Sequence, residues 1–343
     1  MRIAIDVMGG DFAPQQNISG LKAAMVDFPQ VTKFLLVGEP ERMKREMLHQ
    51  GVPLDHPRIE LVPASQWVEM GESSSVAVRQ KKDSSITVAA GLIKDKRADA
   101  MVSAGHTGAA VASTVVKVRM LPGIDRPGIA CVMPAPPGKF VLLDAGANVD
   151  CKPLHLAQYA ILGEAYARHV LGVAQPRVGI LSVGAEDGKG NDLTRESFAL
   201  LKLMPVNFIG NVEGHDLFVG HVDVVVCDGF VGNAVLKCIE SLAKAMSNLL
   251  KERLAKTPVR MAGALLSKNA FRELKEITDH EEYGGAPLLG INGSCIIAHG
   301  SSSPKAIRNA IRVSCEMVGN RLNEHILKKV QAVDWAALPR HEK

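Results

Sequence analysis

Four short turns carry most of the chemistry this sequence has to offer, each a glycine-containing stretch directly behind an apolar run. They are Val7-Met8-Gly9-Gly10-Asp11, Ser103-Ala104-Gly105-His106-Thr107-Gly108, Asp144-Ala145-Gly146-Ala147-Asn148 and Asp228-Gly229-Phe230-Val231-Gly232-Asn233. A strand that ends in glycine and small polar residues and then opens a helix presents unpaired backbone N–H groups, and anions bind there. Several such turns in one chain predict a site for phosphate or a phosphate-like group. Ser103–Gly108 is the best of them. Ser103 and Thr107 bring hydroxyls, Gly105 and Gly108 allow close backbone approach, and the following helix turns its positive end toward the ligand. The competing reading is a plain strand-to-helix turn with Thr107 as its cap.

Lys189 sits in the glycine-rich, acidic turn Gly184–Gly190. A mobile lysine there neutralises a phosphate oxygen or stabilises an oxyanion; a solvated loop charge is the ordinary alternative. Asn233 either caps its helix or holds a substrate carbonyl. Asp6 and Asp11 bracket Gly9-Gly10. Carboxylates repel phosphate, so these two are expected to order the turn or orient a donor.

Other chemistries find little support. No G-x-G-x-x-G occurs, and the nearest approach to a nucleotide-binding P-loop, Gly184-Ala185-Glu186-Asp187-Gly188-Lys189-Gly190, is one residue short and has glycine where a magnesium-holding hydroxyl belongs. The histidines and the six cysteines lack metal-ligand spacing, so no metal and no cofactor is expected. There is no G-x-S-x-G elbow for a serine nucleophile. A net charge of only +4 and 4% aromatic residues argue against a nucleic-acid binder.

The elements that must position these turns alternate along the chain. Apolar runs at 2–7, 33–37, 58–62, 99–102, 128–132, 139–143, 177–182, 206–210, 223–227 and 294–298 read as strands, most of them apolar throughout, as in a sheet covered on both faces. Helical patterns cover 16–27, 40–50, 86–94, 107–118, 153–169, 232–254 and 304–330. Together they predict an α/β protein, a three-layer α/β/α arrangement around a mostly parallel sheet. With 343 residues, 47% of them hydrophobic, the chain can bury one large core. It reads as a single unit of one or two lobes, with no marked boundary. Dispersed cysteines suit a reducing cytoplasm, and no apolar run reaches the length of a membrane span.

Residues 251–280 depart from this pattern. Val259, Met261, Leu265, Leu266 and Phe271 lie among Lys256, Arg260, Lys268, Arg272 and Lys275. That spacing predicts a helical arm with an apolar tip and a basic collar, suited to a bilayer interface or a partner subunit. An amphipathic helix packed on the core is the plainer alternative.

The turns, taken in order with Ala13-Pro14, Arg126-Pro127, Val149-Asp150-Cys151 and Gly284-Gly285-Ala286-Pro287-Leu288-Leu289-Gly290, resemble the bacterial acyl-carrier-protein:phosphate acyltransferase family (PlsX) from residue 1 to about residue 330. Two positions differ from the family's usual pattern: His106 stands in place of Asn, and Ala185 in place of Glu. The resemblance implies a fold similar to isopropylmalate dehydrogenases and phosphotransacetylases. It implies transfer of a fatty acyl group from acyl carrier protein to inorganic phosphate, giving an acyl phosphate for phospholipid synthesis, with no metal and no cofactor. It also implies a homodimer, peripheral contact of the 251–280 arm with the inner face of the membrane, and a downstream glycerol-3-phosphate acyltransferase as consumer of the product. The family's lysine and asparagine fall at Lys189 and Asn233. Substrate-binding positions then fall at Gly9, Gly10, Asp11, Ser103, Gly105, His106, Thr107, Gly108, Asp144, Asn148, Asp228 and Gly229. Two basic clusters are candidates to receive the acidic carrier: Arg79, Lys81 and Lys82, or the collar at Arg260, Lys268 and Arg272. A phosphotransacetylase-like enzyme using coenzyme A thioesters and a non-enzymatic acyl- or phosphate-binding scaffold are the alternatives.

Overall fold

Strands that are apolar throughout need cover on both faces, and a computed structural model shows how they obtain it. It describes residues 1–136, 138–278 and 280–338, with side chains except at 75 and 275–280. The strands are β1 (Arg2–Asp6), β2 (Lys33–Gly38), β3 (Ile59–Pro63), β4 (Ala100–Ser103), β5 (Gly128–Ala135), β6 (Gly138–Leu143), β7 (Arg177–Leu181), β8 (Asn207–Val212), β9 (Val224–Val226), β10 (Ala286–Leu289) and β11 (Cys295–Ile297). The helices are α1 (Gln15–Asp27), α2 (Pro40–His49), α3 (Ser74–Gln80), α4 (Ser85–Lys94), α5 (Thr107–Lys117), α6 (Pro153–His169), α7 (Asp192–Leu201), α8 (Gly229–Leu254), α9 (Pro258–Leu266), α10 (Lys268–Thr278), α11 (Pro304–Gly319) and α12 (Leu322–Gln331).

The strands form one sheet in the order β3-β2-β1-β4-β11-β10-β5-β6-β9-β7-β8. The group β3, β2, β1, β4, β11 is parallel, and so is the group β6, β9, β7, β8. Between them lie three antiparallel steps, β11 to β10, β10 to β5 and β5 to β6. An odd number of reversals makes the two parallel groups run in opposite directions. The turns at 9–11 and 103–108 therefore lie at one end of the strands, and those at 144–148, 184–190 and 228–233 at the other.

Alternate residues of each strand feed two layers, as the period of two requires. Ile3 and Ile5 join Ile18 and Leu21 of α1 and Ile307 and Ile311 of α11, while Ala4 joins Ile86 and Ala89 of α4 and Ala109 of α5. In the second group Val224 and Val226 pack with Leu156 and Tyr159 of α6, and Val225 packs with Val231 and Val235 of α8. The three-layer expectation is borne out. All ten expected strands are present, and β10 is an eleventh that enters through the left-handed pair Gly284 (φ 79°) and Gly285 (φ 81°). The helical pattern expected over 304–330 is two helices, parted where Arg321 adopts φ 50°.

Helix α6 is buried on nearly every side. Its Gly163 approaches β9 so closely that an added Cβ would stand 2.5 Å from Val224 Cγ1. Alanine normally stabilises a helix interior by ~1 kcal/mol over glycine. Here the sign should reverse: Gly163→Ala is expected to lower stability by about 1–3 kcal/mol through overpacking, read as a lower midpoint in chemical denaturation.

Candidate functional site

At one end of the strands three turns pack backbone to backbone. Asp11 N–H donates to Gly300 O (2.8 Å), and Ala298 N–H donates to Ser103 O (2.8 Å). An added Cβ on Gly9 would lie 2.8 Å from Gly105 N, so neither turn has room for a side chain at that contact. Asn17, buried on α1, pins the first turn by donating to Val7 O and Gly9 O, each at 2.9 Å. Behind the turns sits Asp6, wholly buried, which accepts from Ser103 Oγ at 2.7 Å, while Ser103 Oγ accepts from Gly105 N–H at 3.1 Å. Burial pushes the Asp6 carboxyl above the usual carboxylate range, against the opposing pull of the Ser85 and Ser103 hydroxyls. Ser103 is thus turned inward as a brace, whereas Thr107 and Asp11 are exposed.

The helix cap is His106, not Thr107: its Nδ1 accepts from Ala109 N–H at 3.2 Å. This is a cap function that asparagine also performs well. The N–H groups of Thr107 and Gly108 have no partner among the described residues. They form the open, positive end of α5.

At the other end the organising group is Asp144, which is fully buried. Oδ1 accepts from the N–H groups of Ile129 (3.0 Å), Gly146 (3.0 Å) and Ala147 (2.9 Å), and Oδ2 from Asn148 N–H (2.7 Å). Its carboxylate is used up within the turn and does not face open space. Asn148 is similarly engaged, donating from Nδ2 to Pro127 O (2.5 Å) and Tyr159 Oη (2.8 Å). Its carbonyl receives Gly229 N–H at 2.8 Å, which docks α8 on this turn. Asp228 caps α8 by accepting from Val231 N–H at 2.9 Å. Asn233 is therefore released from capping. Its side chain is exposed, with no hydrogen-bond partner among the described residues, and lies against Gly146.

One face of α5 joins the two ends. Gly108, Val111, Ala112 and Val115 line a cavity of about 310 Å³, closed by Ser74, by Met120 and the pair Asp125-Arg126 with Pro127, and by Gly146–Asn148, so its wall carries one carboxylate beside one guanidinium. Arg126 and Ser74 are wall residues that motif reading missed. Arg126 was visible only as part of the pair with Pro127, and Ser74 lies in a serine run with no spacing signal. Lys189 is not on this wall. It is exposed on the loop after β7, where its N–H donates to Glu186 O at 3.0 Å. Of the expected positions only Gly108 and Asn148 line it; Gly9, Gly10, Asp11, Ser103, Gly105, His106, Thr107, Asp144, Asp228, Gly229 and Asn233 lie outside the cavity lining. Cys151, beside Asn148, has its thiol pushed up to about 11 by burial, so it is no thiolate nucleophile near neutral pH.

Comparison with known proteins now decides the family. Residues 1–325 match the family described as "Fatty acid synthesis protein". The phosphate acyltransferase of Akkermansia muciniphila is 50% identical over 329 residues, which cover 94% of each chain. That of Desulfitobacterium hafniense is 50% identical over 332 residues, 96% of this chain and 98% of the relative. This chain belongs to the phosphate acyltransferase family. In fold it is similar to a phosphotransacetylase from Streptococcus pyogenes, with a TM-score of 0.63 at 16% identity over 93% of this chain and 94% of that one.

Within the phosphate acyltransferase family fold, the raised Asp6 carboxyl has a consequence for stability. The folded state keeps its proton to higher pH than the unfolded chain does. The group's contribution is therefore greatest at or below the ordinary carboxylate range and falls as pH rises toward the raised value. Asp6→Asn keeps an acceptor for Ser103 and removes the titration. Unfolding midpoints across that window should fall with pH more steeply for the parent than for the variant.

Proposed function

We propose that this protein transfers a fatty acyl group from the thioester of an acyl carrier protein to inorganic phosphate. A phosphate oxygen attacks the thioester carbonyl, a C–O bond forms, the C–S bond breaks, and the carrier leaves as its thiol with the proton that phosphate gives up. The observation that carries the reading is the cavity along α5, with the unpaired Gly108 amide in its lining, the unpaired Thr107 amide next to it on the same helix end, and Arg126 with Asp125 in its wall. Phosphate is partly dianionic at neutral pH and needs little deprotonation. What it needs is alignment with the carbonyl and donors for the tetrahedral oxyanion. The Ser103–Gly108 turn cradles phosphate, with Gly9, Gly10 and Gly105 supplying backbone held rigid by Asp6 and Asn17. Asn233, uncommitted beside Gly146, orients the thioester or its pantetheine amide, and Lys189, which lies off the cavity wall, is the candidate to stabilise developing charge. The acidic carrier docks on Arg79, Lys81 and Lys82 or on the Arg260, Lys268 and Arg272 collar. The product feeds a glycerol-3-phosphate acyltransferase.

Release of free thiol from an acyl-carrier substrate, followed with and without phosphate, tests the reading; phosphate-independent release or none would reject it. Lys189→Ala should lower kcat by about 10²–10³-fold if that side chain is an oxyanion donor. Unchanged turnover removes Lys189 from the mechanism.

The arm suggests where the reaction takes place. Helix α8 has 26 residues but fully buries only Gly229 and Gly232 among them. Helix α9 buries none, with Leu266 88% and Val259 81% exposed. An exposed apolar patch of this kind seeks a bilayer or a partner. We infer that α9 enters the interface of the inner membrane leaflet, with Lys256, Arg260 and Lys268 toward the headgroups; the Lys275 side chain of the expected collar lies outside the described residues. The exposed α8 row Leu242, Met246 and Leu249 pairs with a second copy in a homodimer. Leu265→Asp with Leu266→Asp should abolish sedimentation with anionic vesicles while leaving turnover of soluble acyl carrier within about twofold, since surface changes are near neutral for folding.

A further inference from the structure

Helices α4 and α5 end side by side, away from the Ser103 turn. Each closes through a left-handed residue just past its last turn, Lys96 (φ 55°) and Arg119 (φ 67°). The Lys96 N–H donates to Ile93 O (3.0 Å), and the Arg119 N–H donates to Thr114 O (3.2 Å). Glycine fills such positions with least strain, yet both carry a cation. With Lys94 and Lys117 they line a second cavity of about 310 Å³, with Asn292 on its rim and no carboxylate in its wall. None of the four cations makes an ion pair or side-chain hydrogen bond among the described residues. Nearby cations elsewhere are neutralised: Arg97 pairs with Glu60 and Arg2 with Asp99.

The dipoles of two helix ends account for Lys94 and Lys117 taken singly. They do not account for two further cations, held in a strained backbone conformation and brought to the same hollow, where like charges repel. We propose that this cavity is a binding site for a compact polyanion carrying two or more phosphate groups. The hollow is concave and small, which suits a small ligand better than the flat face of an acidic protein. The proposal does not depend on the acyl-transfer reading, since none of these residues touches the cavity that reading uses.

The test is titration calorimetry of the full chain with inorganic tripolyphosphate at low ionic strength, repeated with Lys96→Gly combined with Arg119→Gly. Glycine suits both backbone positions, so the variant should keep or raise its Tm. Binding should weaken by about tenfold or more, and in the parent it should weaken as salt is added. Lys44→Gln with Lys237→Gln, which removes the same charge elsewhere, should leave affinity unchanged. Three results would overturn the proposal: no binding by the parent, equal binding by the glycine variant, or binding of an acidic protein with tripolyphosphate ignored. The second would place the anion elsewhere on the protein.

Discussion

The buried carboxylate of Asp144 is the contact on which the site's second half rests. Four backbone N–H groups converge on it, from Ile129 on β5 and from residues 146–148. The Ile129 N–H would be an unsatisfied buried donor without it, at ~1–3 kcal/mol; the other three belong to half-buried residues and lose the group that orders their turn. The carboxylate also fixes where α8 can start. A Cβ on Gly229 would lie 2.9 Å from Asp144 Oδ2, and one on Gly232 would overlap Asp144 O. One side chain thereby sets the path of the turn, the entry of the long helix and the position of Asn233.

The first half uses a similar device. Asp6 stands behind Gly9 and Gly105 and holds Ser103 inward, so its carboxyl is enclosed and burial favours the neutral form. In both halves an acidic residue shapes the glycine backbone without presenting its oxygens to the cavity. An anion-binding turn needs that arrangement, because amides can only be aimed if something on the far side holds them. The two halves are carried by oppositely running strands, and α5 spans between them with a face of small and β-branched residues.

The alternation of apolar runs made the layers legible, because a strand buried on both faces leaves a continuous hydrophobic signature. The glycine turns were legible for the same reason that they are needed: no other residue fits the contact of Gly9 with Gly105. Three features were not visible. Strand direction depends on pairing across hundreds of residues, so nothing local told that the turns fall at two opposite ends. The cap at His106 was hidden because histidine is an uncommon cap and Thr107 beside it is a better one by type. The break at Arg321 was hidden because a left-handed non-glycine residue leaves no compositional mark. Asp144 and Asn148 were expected to bind substrate; both side chains are engaged in building their turn, and residue type alone does not distinguish a group that meets a ligand from one that shapes the backbone.

The root of the arm has a mechanical meaning. Glu281 accepts from Ser303 Oγ at 2.8 Å, and Ser303 caps α11 through Ala306 N–H. The same short loop reaches back to Gly300, whose carbonyl receives Asp11 N–H. A tug on the arm's return strand therefore has a route of only a few hydrogen bonds to the glycines behind β1. The other root, α8, is anchored on the Asp144 turn. Whatever surface the arm grips, its two footings stand on the two halves of the cleft, and a torque applied at the tip would be felt as a change in the gap between them.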